Sequence, residues 1–127
     1  MQGALIGHLI YLINIGGVVL LHYASFLKQA RGTLAPELQV LPPILLAVAV
    51  ADYAASLFVE RSIRAGGPER QSVAPIITAA FGVSIAVYGM VVWLLGDSSG
   101  WFWLFVTIAA LHWFHSALRW QNLQPRA

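Results

Sequence analysis

The chain has 127 residues, of which 59% are hydrophobic and 9% are charged, with a formal net charge of +2 and a mean hydropathy of +0.75. Soluble domains carry about 25% charged residues, so this composition excludes that class and predicts an integral membrane protein. The absence of cysteine excludes disulfides, thiolate metal sites and thiol catalysis. The small net charge lies in the loops and does not predict nucleic-acid binding.

The first predicted membrane span covers about residues 4–27, enough for the roughly 20 residues that cross a bilayer. We interpret it as a retained helix, because no basic segment precedes it and no small-residue cleavage site ends it. Gly3 and Gly7 are four residues apart, and this spacing lets a second helix approach closely.

The second predicted span covers about residues 42–60 and begins at a pair of prolines, which a helix tolerates in its first turn. Alanine recurs every fourth residue on one face of this span. Such a stripe of small residues predicts packing against a neighbouring helix. We call it the alanine stripe, and it consists of Ala47, Ala51 and Ala55.

The third and fourth predicted spans cover about residues 75–95 and 101–120. Gly82 and Ala86 mark the close-packing face of the third span. The intervening turn is so short that these two spans must be antiparallel neighbours. The sequence therefore predicts an all-α membrane protein, with four transmembrane helices in an antiparallel bundle that forms one domain over residues 1–127.

An even number of spans places both termini on the same side of the membrane. That side carries five arginines, whereas the opposite side carries only Lys28 and Arg31. The positive-inside rule then predicts cytoplasmic termini, in a bacterial inner membrane. The five arginines are Arg61, Arg64, Arg70, Arg119 and Arg126. We expect the first four to contact anionic lipid head groups. We also expect tryptophans at both interfaces: Trp93, Trp101 and Trp103 at one and Trp120 at the other.

Four polar residues lie inside the predicted spans at related depths. Asp52 lies near the middle of the second span, and an ionisable group there must face protein or water because lipid contact is unfavourable. Asn14 and His112 lie at similar depth, with His115 one turn further along. We expect these four side chains to form an intramembrane polar cluster that fixes helix register, or one that relays protons.

The histidines also allow a haem hypothesis. His8 and His22 are fourteen residues apart, which places them on one helix face at two depths. This spacing resembles the histidine pairs of membrane dihaem cytochromes b, whose bundles carry matching histidines on a second helix. Here His8 would pair with His115 or His112, and His22 has no better partner than Met90, so the hypothesis implies a single haem b. No motif predicts a metal site.

No nucleophile elbow or phosphate-binding loop is present, and we therefore assign no catalytic residue. A small chain with several close-packing faces and no soluble domain is typical of a component of a larger assembly. The first hypothesis is an accessory subunit of a membrane complex, or a homo-oligomer, that binds membrane lipids and other membrane subunits. The alternatives are an electron-transfer subunit with one haem b, and a small proton-coupled transporter that works through Asp52.

Overall fold

The computed structural model describes residues 2–26, 35–95 and 99–121, and these residues are helical along nearly all of their length, with no strand among them. Each of the four long helices is long and apolar enough to cross a membrane. The predicted all-α membrane fold is therefore confirmed. The long helices are α1 (Gln2–Phe26), α2 (Leu41–Arg64), α4 (Ala74–Leu94) and α5 (Ser99–Gln121), and the short helix α3 (Pro68–Gln71) links α2 to α4.

The second helix is longer than the predicted span, because it continues past Glu60 to Arg64. Arginine side chains in a last helical turn favour the negative end of the helix dipole, so this basic segment extends α2. Gly67 then adopts a φ of 110°, a backbone conformation that favours glycine, and Pro68 begins α3. A short 3-10 turn, Pro36–Leu38, precedes α2. The basic residues Lys28, Arg31 and Arg126 lie outside the described residues.

Helix α4 is the centre of the bundle, because its interfaces with the other three long helices are the most extensive in the described structure. Its glycines make this packing close. A Cβ atom at Gly82 would collide with the side chains of Tyr11 and His112, and one at Gly89 would collide with Phe105. Two glycines of α1 also lie close to the backbone that precedes or begins α4, at the end of the bundle that holds both termini. Gly3 packs against Ser72, and Gly7 packs against Pro75. Ala86 is likewise fully buried.

The alanine stripe of α2 faces away from the bundle, since Ala47, Ala51 and Ala55 are all exposed. Helix α2 buries a different and narrow seam, which consists of Pro42, Ala49, Ser56 and Glu60. The expected packing partner of the stripe is therefore not another helix described in this chain. The stripe remains available to a second polypeptide.

Two tryptophans lie in the bundle interior and not at the lipid interface where we expected them. Trp93 is fully buried, and Trp120 is 1% exposed. The reason for Trp120 is specific: its indole N–H donates a 2.9 Å hydrogen bond to Glu60, and its ring fills the space above Gly7. Trp103 is exposed, as an interfacial residue would be.

The close approach at Gly82 leads to the first prediction. We expect Gly82→Ala to lower the free energy of unfolding by about 1–3 kcal/mol, because the added methyl group collides with two rings that cannot both move aside. Gly16→Ala is the matched control, since no atom lies within 4 Å of the Cβ added there. Thermal unfolding in detergent micelles measures both changes, and equal stability of the two variants would contradict the prediction.

Candidate functional site

His112 is the centre of a buried polar network that joins three helices. Its side chain is fully buried on α5. Its Nδ1 lies 2.5 Å from the Tyr11 hydroxyl on α1, and its Nε2 lies 2.7 Å from the Ser56 hydroxyl on α2. Both ring nitrogens are therefore satisfied inside the protein, as a membrane interior without water requires.

The direction of these hydrogen bonds follows from counting protons. The Ser56 hydroxyl donates its single proton to the Tyr53 carbonyl, 2.7 Å away. Ser56 must then accept the bond from His112, which assigns the ring proton to Nε2. A charged imidazolium without a carboxylate partner is unfavourable in an apolar interior, so we take the ring as neutral. Nδ1 is then an acceptor for the proton of Tyr11, and His112 has one donor and one acceptor in use.

The network continues towards the end of the bundle that holds both termini. The Ser116 hydroxyl lies 3.4 Å from that of Tyr11 and accepts a 3.1 Å bond from Arg119. Arg119 also donates from Nε and Nη2 to one oxygen of Glu60, at 3.1 and 2.6 Å. Trp120 donates to the other oxygen, so the 2%-exposed Glu60 carboxylate is held on both sides. This ion pair fixes the last turns of α2 and α5 together.

Asp52 lies outside this network. It is half-buried between α2 and α4, and its Oδ2 accepts a 2.5 Å bond from the Tyr88 hydroxyl. Asn14 is exposed on α1, where its amide donates to the Ile10 carbonyl of its own helix. The expected cluster of Asn14, Asp52 and His112 is therefore not formed. The prediction rested on the similar depth of these side chains, but they lie on helix faces that do not meet.

The other three histidines occupy separate environments. His115 is exposed, with its Nδ1 3.0 Å from the Tyr53 hydroxyl. His8 accepts a 2.9 Å bond from the Trp113 indole at Nδ1. His22 is 4% exposed and stacks on Phe102, with 3.9 Å between the ring centroids.

This distribution does not fit a bound haem. An imidazole needs a free nitrogen to ligate iron, and both nitrogens of His112 are already hydrogen-bonded. His8 on α1 and His115 on α5 do not face each other. His8 lines a surface with Trp113 and Phe114 on one side of α5, whereas His115 lines a pocket that α5 shares with α2. Within residues 2–26, 35–95 and 99–121, no group of three or more His, Cys, Asp or Glu side chains is placed to hold a metal ion.

At the end of the bundle that holds both termini, arginines border a pocket of about 530 Å³, which we call the arginine pocket. Three of the four arginines that we assigned to lipid head groups line it, and Arg70 instead packs beside Gly66. The pocket is lined by Leu57, Glu60, Arg61, Arg64, Ala65, Gln71, His115 and Arg119.

The partners Tyr11, Ser56 and Tyr88 are not among the site residues predicted from the sequence. From the sequence, Glu60 marks only the end of the second predicted span. Its pairing with Arg119 was nevertheless predictable, because the two residues carry opposite charges at matching depth on different spans.

The sequence matches no known family, and it is not significantly similar to any curated protein or solved structure that was compared with it.

The proton count at Ser56 leads to the second prediction. Ser56→Ala removes the acceptor of the His112 Nε2 proton and leaves a buried donor unsatisfied, so we expect a loss of about 1–3 kcal/mol in unfolding free energy. Ser84→Ala is the matched control, because among the described residues the hydroxyl of Ser84 bonds the Ala80 carbonyl of its own helix and no other helix. Denaturation in mixed micelles compares the two variants, and equal effects would show that the His112 bond contributes nothing.

Proposed function

We propose that this protein is a small assembly subunit of a larger integral membrane complex, and that it binds its partner through the exposed face of α2. The carboxyl group of Asp52, a residue that the bundle covers only in part, carries this proposal. Asp52 lies eleven residues from Leu41 and twelve from Arg64, which places it at the middle of α2. The exposed part of its side chain would therefore meet the centre of the bilayer.

An acid at that depth is unfavourable in contact with lipid. Insertion of Asp at the centre of a transmembrane helix costs about 2.5–3.5 kcal/mol. Tyr88 donates a hydrogen bond to one carboxylate oxygen only. A partner helix that covers the carboxyl group and supplies a second donor would remove the remaining lipid contact.

The alanine stripe provides the surface on which such a helix would pack. At 100° per residue, the centre of the stripe lies about 160° from the centre of the buried seam of α2. Ala55 is three residues from Asp52, so the two lie on adjacent positions of one side of the helix. Small residues permit close approach of helix backbones, and a helix packed on the Ala55 side of the stripe would lie beside Asp52, which is about 60° from Ala55 around the helix.

The partner that this face favours is a different polypeptide. In a two-fold dimer through α2, the same patch of each copy meets its counterpart, and the two Asp52 carboxyl groups would approach each other. Two carboxylates in one apolar interface are mutually unfavourable. A partner helix with a hydroxyl, amide or basic side chain at the depth of Asp52 avoids this repulsion.

The orientation that we propose follows from the basic residues of the described helices. Arg61, Arg64, Arg70 and Arg119 all lie at the end of the bundle that holds both termini. By the positive-inside rule, their position supports cytoplasmic termini, and the membrane that we propose is a bacterial inner membrane. Neither alternative function has comparable support, because the histidines are not placed for a haem, and no hydrogen bond reported for the described residues links Asp52 or Tyr88 to the His112 network.

The third prediction tests the alanine stripe. Ala51→Leu adds a bulky side chain where we propose close helix contact, and we expect at least about a tenfold loss of co-purified partner, equivalent to about 1.4 kcal/mol. Ala80→Leu is the matched control, since Ala80 is exposed on α4. Native mass spectrometry of the tagged protein, released from its own membrane in mild detergent, measures the complex. A wild-type protein that emerges without any other chain would refute the proposal.

The fourth prediction tests Asp52 itself. Tyr88→Phe removes the donor of the bond between these two side chains, whereas Asp52→Asn keeps an acceptor oxygen for Tyr88 and removes the carboxylate from the proposed interface. We therefore expect Asp52→Asn to reduce partner recovery more than Tyr88→Phe. Equal recovery in the two variants would mean that Asp52 acts only within its own chain.

A further inference from the structure

The arginine pocket carries more positive charge than its own acid can neutralise. Three arginines line it and one glutamate does. The Glu60 carboxylate is already occupied by Arg119 and Trp120. The single ion pair found among the described residues is Arg119–Glu60, so neither Arg61 nor Arg64 has a carboxylate partner there.

Arg119, which lines the pocket, also has a donor without a partner among the described residues. Nη1 of Arg119 is buried and has no hydrogen-bond partner among the residues that the structure describes. The same guanidinium is fixed through Nε and Nη2 by Glu60 and Ser116. An unsatisfied N–H held in this way costs free energy until an acceptor binds it, and an anion bound against the Arg119 guanidinium would supply that acceptor.

We propose that the arginine pocket binds a phosphate group, and that this phosphate belongs to the head group of an anionic membrane lipid. Arginine is well suited to the task, because its planar guanidinium can donate two parallel bonds to phosphate oxygens. Arg61 and Arg64 would engage the phosphate from α2, and Arg119 would engage it from α5. The negative end of the α2 dipole opposes an anion here, but the two arginines in its last turn offset that partial charge.

The location of the pocket favours a lipid over a dissolved anion. Its walls come from the last turns of α2 and α5 and from α3, which are the ends of helices long enough to span the membrane. The ends of such helices lie at the depth of the head groups. A phosphate at that depth can enter the pocket while its acyl chains remain in the bilayer, whereas a free phosphate would use the same donors from the aqueous side.

The test uses the purified full-length protein in nanodiscs of phosphatidylcholine with or without phosphatidylglycerol. Native mass spectrometry counts retained lipids, and we expect wild-type protein to retain phosphatidylglycerol selectively. Arg64→Gln should weaken this retention about tenfold. Arg70→Gln is the charge-matched control because Arg70 does not line the pocket. Arg119 is left intact, since its loss would unpair the buried Glu60.

A second arm adds inorganic phosphate to separate the two sources of the anion. Retention that depends on Arg64 and resists inorganic phosphate supports the lipid head group. Displacement by inorganic phosphate, with direct binding of phosphate to wild-type protein only, supports the pocket but assigns it to a dissolved anion. Equal retention of both lipids, or equal losses in Arg64→Gln and Arg70→Gln, overturns the proposal. None of these measurements requires the protein partner, so their failure is distinct from failure of the assembly proposal.

Discussion

A neutral imidazole buried among transmembrane helices needs a donor and an acceptor from the protein, and this requirement determines how the helices of this chain meet. His112 takes its two partners from α1 and α2, so its burial binds three helices at one level. The central helix α4 contributes space at the same level, because Gly82 has no side chain to displace the Tyr11 and His112 rings. The close packing of α4 and the satisfaction of His112 are therefore one constraint: a larger residue at Gly82 would disturb both.

The Arg119–Glu60 ion pair meets the same requirement for a buried charge. Burial of Glu60 is tolerable because two donors from Arg119 and one from Trp120 surround its carboxylate. Glu60 is the only acidic side chain among the described residues that line the arginine pocket, so this pairing leaves Arg61 and Arg64 without a negative charge to neutralise them there. The contact that fastens α2 to α5 thus also creates the site where an anion would bind.

The four spans were predictable because a bilayer sets both the length and the apolar character of a crossing helix. Depth along each helix was predictable for the same reason, and Asp52 and His112 do lie within their helices as expected. The inward face was not predictable, because these helices are apolar on nearly every side and periodicity gives no direction. Asp52 therefore bonds Tyr88 and not His112, and Trp120 lies inside the bundle although its ring type is common at interfaces. Partners such as Tyr11 and Ser56 carry no signal until the faces are known.

Helix α2 combines a well-defined inner attachment with an uncovered outer face. Its fully buried seam consists of Pro42, Ala49, Ser56 and Glu60, and the larger side chains Leu45, Leu46 and Tyr53 pack against the core while remaining partly exposed. Lipid supplies no hydrophobic driving force between helices, and the bonds of Ser56 and Glu60 therefore fix its rotation. That rotation directs the alanine stripe outward and leaves Asp52 at the edge of the covered surface. A helix held in this way presents its outer face in one orientation, which lowers the entropy lost when a partner helix packs against it.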